Sequence, residues 1–175
     1  MSAKKIRFTK MQGAGNDFIL ISALDEEVIL SRQQIARLCD RRFGIGSDGL
    51  MLLLKPSQCG ADVRMSYYNS DGGEAEMCGN GARCFARFAK RELDWNKTRI
   101  TIQTGAGLVA AEYEGELVRL MMTPPRDWRA PFLIQAVGEN FSVAFVNTGV
   151  PHAVIRVDDI QNLDVRSLGS AIRHH

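Results

Sequence analysis

The links between the strand-like runs of this 175-residue chain are short. Glu114-Gly115 separates the runs 108–113 and 116–122 as a tight hairpin turn, and Gly105-Ala106-Gly107 separates 98–104 from 108–113. A parallel crossover needs about a dozen residues or more, so most neighbouring strands are expected to pair antiparallel. Further strands are expected at 6–10, 18–22, 50–54 and 62–68, with residues 13–17 as a glycine loop. The run Phe18-Ile19-Leu20-Ile21 is continuously apolar, which predicts burial on both faces.

Two helices interrupt these strands. Ser31 reads as an N-cap, followed by Ile35, Leu38 and Cys39 at helical spacing, with Gly44 as the stop. A second helix is expected to start just after Cys78 and run to about Leu93. Ala82, Phe85, Ala86, Ala89 and Leu93 give it one apolar face. Thr123-Pro124-Pro125-Arg126-Asp127 breaks the pattern, because proline cannot donate to a sheet ladder. The domain boundary is therefore set at 1–123 and 124–175. The second part carries strands at 132–137, 141–147 and 153–157 and a last helix capped by Asp164. It is short for an independent core. The fold class is α+β.

Composition narrows the function. With 22 Lys+Arg against 20 Asp+Glu, the net charge is +2 and the signs are interspersed, so nucleic acid is not expected as a partner. No apolar run approaches the ~20 residues of a membrane helix. The leading MSAKKIRFTK lacks the apolar core of a secretory signal, and a cytoplasmic location is expected. Cys39, Cys59, Cys78 and Cys84 contain no Cys-x-x-Cys pair and no zinc spacing, so no metal site is expected.

The chemistry concentrates between Tyr68 and Cys84. Glycines, asparagines and a cysteine crowd a helix start, where unpaired N–H groups and the helix dipole favour an anion. The same field favours a thiolate, which places Cys78 as a base or nucleophile beside a carboxylate site. Asn16 and Asn69 lie in turns, and each can both donate and accept. Cys84 is turned away from Cys78 within the helix and reads as structural.

Two segments, Lys10-Met11-Gln12-Gly13-Ala14-Gly15-Asn16-Asp17-Phe18 and the stretch from Asn69 to Cys84 ending Cys78-Gly79-Asn80-Gly81-Ala82-Arg83-Cys84, resemble diaminopimelate epimerases. The resemblance continues through Gly44-Ile45-Gly46-Ser47-Asp48-Gly49, Asn147-Thr148-Gly149-Val150-Pro151-His152 and Asp158-Asp159-Ile160. It implies two similar halves, each a mainly antiparallel curved sheet wrapped around a central helix, the second half incomplete here. It implies interconversion of LL- and meso-diaminopimelate, in lysine and peptidoglycan synthesis, by a thiolate and a thiol on opposite faces of the α-carbon. No pyridoxal phosphate or other cofactor is implied, and the full-length family is a homodimer.

Carried over by position, Cys78 is the first catalytic cysteine. Asn16, Asn69, Gly79 and Asn80 bind substrate, and His152 tunes the thiol pair; a structural role after Pro151 is the alternative for His152. Val150 and Gly49 depart from a substrate-binding asparagine and glutamine found in some members. The second cysteine does not occur before the chain ends at His175, so the chain alone is expected to have little or no activity. A rival reading is a non-catalytic binding or assembly module derived from an epimerase half; another is a thiol redox sensor at Cys78.

Overall fold

Phe18, Ile19, Leu20 and Ile21 are all 2% exposed or less, so both faces of one strand are covered. The computed structural model, which describes residues 5–122 and 124–175, shows a helix on each face. Met1 to Lys4, part of the leading segment read above, and Thr123, the first residue of the expected boundary, lie outside the described residues. The chain divides into two units, Met1–Met122 and Thr123–His175.

The first unit runs β1 (Thr9–Gly13), β2 (Asn16–Ser22), α1 (Arg32–Cys39), β3 (Gly49–Leu54), β4 (Val63–Asn69), β5 (Glu74–Ala75), α2 (Gly79–Glu92), β6 (Arg99–Thr104), β7 (Gly107–Glu114) and β8 (Leu117–Met121). They form one sheet in the order β1-β2-β3-β4-β6-β7-β8, with β5 paired to β4. Pairing is antiparallel except for β2 with β3 and β4 with β6. Those two parallel pairs span the stretches that contain α1 and α2, the only links here long enough for a crossover.

The apolar face of α2 is the centre of the unit. Ala82, Phe85, Ala86, Phe88 and Ala89 are 2% exposed or less and pack with Phe18, Met51, Val63, Ile100, Ile102 and Val109. Helix α2 contacts both edge strands, β1 and β8, so the sheet curls around it. Polar bonds pin the curl. Tyr113 Oη donates to Ala86 O at 2.8 Å, Arg91 Nη2 to Thr9 Oγ1 at 2.6 Å, and Arg87 Nη1 to Gly115 O at 2.8 Å. On the opposite face, Ile19, Ile21, Leu50 and Leu52 pack with Ile35 and Cys39 of α1. This is an α+β fold with a curled sheet around one helix.

Some boundaries differ from expectation. The first strand is Thr9–Gly13, not 6–10, because Ala14 and Gly15 (φ 51° and 88°) make a two-residue turn that draws Gly13 and Asn16 into the ladder. Helix α1 has Ser31 as its N-cap, as expected, in a capping box completed by Gln34, but it ends at Cys39, before Gly44. Asp40 Oδ1 accepts from the N–H groups of Arg42 and Phe43 at 2.8 and 2.6 Å and turns the chain early.

The second unit is a three-stranded antiparallel sheet of β9 (Arg126–Ala136), β10 (Glu139–Asn147) and β11 (Pro151–Ile155), followed by α3 (Val165–Arg173). The order is β11-β10-β9, so β9 is an edge in this sheet. It starts at Arg126 rather than 132, because an edge strand tolerates the missing donor of Pro131. Asp164 caps α3 through Oδ1, which accepts from Ser167 N at 3.0 Å, and Leu168 is buried.

The β9–β10 turn places Val137 at φ 46°, a left-handed conformation that strains a β-branched residue, and leaves its side chain exposed. Val137→Asn should stabilise the second unit by about 1 kcal/mol by relieving that strain. Thermal or urea unfolding of the two chains measures the change.

Candidate active site

Strand register brings the site residues to one end of the first unit. Phe18 pairs with Gly49 and Gly49 with Asn69, so the starts of β2 and β3 lie beside the end of β4. Helix α2 begins at the same end. Gly13 of β1 has no room for a side chain there: a Cβ would lie 3.0 Å from Asn80 O and 3.1 Å from Cys84 Sγ. The hairpin backbone therefore reaches the first turn of α2.

Cys78 is the N-cap of α2, with extended backbone (φ −139°, ψ 121°) and no capping bond from its side chain. Its carbonyl accepts the first helical bond, from Ala82 N at 2.7 Å. The N–H groups of Gly79, Asn80 and Gly81 precede that bond and have no helical carbonyl to meet. Cys78 is half-buried, whereas Cys39 and Cys84 are buried and Cys59 is exposed. Burial pushes the Cys39 and Cys84 thiols up, which disfavours their ionised form.

The asparagines are oriented by neighbours that sequence reasoning did not single out. Asn16 Nδ2 donates to Asp48 Oδ2 at 3.0 Å, and Asn80 Nδ2 donates to Asn16 Oδ1 at 2.7 Å. Asp48 is joined to Asp17 through main-chain N–H bonds in both directions, at 3.1 and 3.2 Å. Arg41 bridges the two carboxylates, 2.7 Å from Asp17 Oδ1 and 2.8 Å from Asp48 Oδ1, and Lys10 lies 2.9 Å from Asp17 Oδ2. The Arg41 guanidinium, with Lys10, holds the Asp17 carboxyl well below the usual carboxylate range. The bond from Asn16, with help from Arg41, also lowers Asp48. Asp17 and Asp48 stood inside the quoted motifs, so their position was legible, but Arg41 carried no motif and only the fold reveals it.

Asn69 is set by β4 and its turn. Its N–H donates to Gly73 O at 2.9 Å, and Tyr67 Oη donates to its Oδ1 at 3.1 Å. Burial, with the nearby Cys78 and Asp48, pushes the Tyr67 phenol up to about 12, so it stays a donor. Gly49 has no room for a side chain. A Cβ there would lie 2.6 Å from Tyr67 Cε2 and 2.6 Å from Tyr68 O, so the Tyr67 ring occupies the space. Arg32 holds the turn, donating to Asp71 Oδ2 at 2.6 Å.

His152 belongs to the second unit, on β11. Its Nδ1 lies 2.7 Å from Val150 O, which can only accept, so Nδ1 donates that bond. Among the described residues, no group of three or more His, Cys, Asp or Glu is placed to hold a metal, and no helix is long and apolar enough to cross a membrane. A cavity of about 380 Å³ lies at the far end of β2, lined by Phe8, Leu20, Leu24 and Phe88, and contains none of the candidate residues.

A sequence model described as diaminopimelate epimerase matches residues 8–128. The chain belongs to the diaminopimelate epimerase family. It is 40% identical over 184 residues to a diaminopimelate epimerase of Thioalkalivibrio sulfidiphilus, covering 98% of this chain and 66% of that one. It is 41% identical over 183 residues to one of Chromobacterium violaceum, with the same coverage. The chain thus spans 66% of the length of these relatives. In fold it resembles a probable proline racemase from Agrobacterium radiobacter (TM-score 0.67, 16% identity, 94% of this chain and 53% of that one). It also resembles a hydroxyproline epimerase from Agrobacterium vitis (TM-score 0.64, 17% identity, 93% and 52%).

Within this member of the diaminopimelate epimerase family, the Arg41 clasp has a pH signature. Both carboxyls are lowered in the folded state, so their contribution is full above the unfolded value of about 4 and is lost as pH falls toward the folded values. Arg41→Met should therefore be less stable than the parent near neutral pH, with the gap closing below about pH 4 and narrowing in high salt. Urea midpoints across pH 7 to pH 3 give the comparison.

Proposed function

We propose that this chain carries one proton-transferring half of a diaminopimelate epimerase, which interconverts the LL and meso forms at the α-carbon without pyridoxal phosphate. The observation that carries the reading is Cys78 itself: a half-buried thiol with no capping bond, at the head of a helix whose first N–H groups are unspent, in a chain of this family. Removing an α-proton builds negative charge that spreads into the carboxylate. N–H groups of Gly79 and Asn80 stabilise that charge where it develops. Cys78 takes the proton as thiolate or returns it as thiol.

In this reading Asn16, Asn69 and Asn80 hold the polar groups of a small zwitterionic substrate. His152 tunes the thiols. The same reading takes the full-length protein as a cytoplasmic homodimer in lysine and peptidoglycan-precursor synthesis. Inversion also needs an acid on the opposite face. Cys39 and Cys84 are buried and Cys59 is exposed without a helix start, so none of them fills that role. The 175-residue chain alone is therefore proposed to exchange an α-proton at best, and to invert little substrate.

The test is proton exchange. The purified chain is incubated with LL-diaminopimelate in heavy water, beside Cys78→Ala. Deuterium incorporation at the α-carbon that vanishes in the variant is the expected result. Incorporation that persists in Cys78→Ala removes Cys78 from the mechanism, and full inversion by the chain alone overturns the need for a second acid.

A further inference from the structure

Asp48 bonds one site amide directly, that of Asn16, which in turn accepts from the amide of Asn80. We infer that Asp48 is a positioning residue that sets the direction of the Asn16 and Asn80 side-chain amides, so that Asn80 presents its carbonyl oxygen as an acceptor for the amino group of the bound substrate. This rests on the reading of Asn80 as a substrate contact.

The argument is one of donors and acceptors. An ionised carboxylate only accepts. Asp48 is held ionised by Arg41 at 2.8 Å and by its bonds from Asn16 and Asp17. Asn16 must therefore turn its NH2 toward Asp48, at 3.0 Å. Its Oδ1 then faces the other way and accepts from Asn80 Nδ2 at 2.7 Å. Asn80 has spent an N–H on Asn16, so its NH2 is turned inward, and its Oδ1 has no donor among the described residues. An unlocked asparagine offers NH2 or C=O about equally; this one offers C=O. The acceptor sits on the second residue of α2, beside the open N–H groups of that helix. An acceptor next to a row of donors matches an ammonium next to a carboxylate, the two charged groups of an α-amino acid.

The opposite case is a carboxylate that serves only the ion-pair clasp. Asp17 illustrates it, because its side chain meets Arg41, Lys10 and the Asp48 main chain but no site amide. The experiment separates the two roles with a ¹⁵N-labelled 175-residue chain, following the side-chain NH2 signals of Asn16 and Asn80. In the unsubstituted chain, one Asn80 amide proton should exchange with water about threefold to tenfold more slowly than a free amide, the range a net hydrogen bond implies. Asp48→Ala should abolish that protection and shift both asparagine signals. Asp48→Asn, whose amide oxygen still accepts, should restore much of it. Arg41→Met should leave it in place, although it breaks the clasp.

A ligand arm reads the direction of the amide. Asp48→Ala should weaken meso-diaminopimelate binding roughly tenfold, as loss of one charge-assisted acceptor predicts, and leave pimelate, which lacks the amino groups, unchanged. Equal loss for both ligands overturns the assignment of the acceptor to the amine. Asn80 signals that ignore Asp48→Ala, or an Asn80 amide with no protection in the unsubstituted chain, overturn the role of Asp48 altogether. A chain that binds neither ligand while Asn80 answers to Asp48 supports the positioning role and counts instead against the proposed function.

Discussion

Burial of one face of α2 is the constraint on which the first unit depends. Ala82, Phe85, Ala86 and Ala89 are completely hidden, and the alanines let the sheet approach the helix axis closely. A flat sheet cannot touch the helix with both of its edges; β1 and β8 both touch α2, so the sheet must curl. The curl in turn fixes where the helix starts. Cys78 and the N–H groups that follow it are held by the packing of residues further along α2 rather than by any bond from the Cys78 side chain. That leaves the thiol free of structural duty at the point where the helix field is strongest.

A second, smaller system of forces ties the rim of the sheet together. The paired carboxylates of Asp17 and Asp48 would repel each other unaided, and Arg41 and Lys10 neutralise them. Each of these pairs is partly exposed, so their worth in stability is modest and salt-dependent. Their value lies in geometry. They join the β1–β2 hairpin, the loop before β3 and the end of α1, which are distant in sequence, and they leave the Asn16 amide a single way to face. On β4 the Tyr67 phenol does the same for Asn69, in the space that Gly49 leaves open.

Much of this was legible in the residues, and the gaps have physical causes. The helix after Cys78, the N-cap at Ser31 and the double-sided burial of Phe18–Ile21 follow from local patterns, and the structure has all three. The short links read correctly as antiparallel pairs. The two parallel pairs were hidden because direction across a helical crossover depends on packing, not on turn chemistry. Strand β5 is two residues long, below what any periodicity registers. The early start of β9 was masked by Pro131, which is forbidden in a central strand and tolerated at an edge; edge or centre is a property of the whole sheet.

The sequence by itself determined the class of the fold, the place of Cys78 at a helix start and the family, because capping, glycine turns and a long ordered motif are local and specific. Only the tertiary structure decided how the asparagines face. An amide has two nearly identical ends, and which end points outward depends on partners such as Asp48, which stands 32 positions from Asn16 in the chain. It also decided how deeply each thiol is buried: Cys39 and Cys84 are buried, with their pKa pushed up, whereas Cys78 is half-buried.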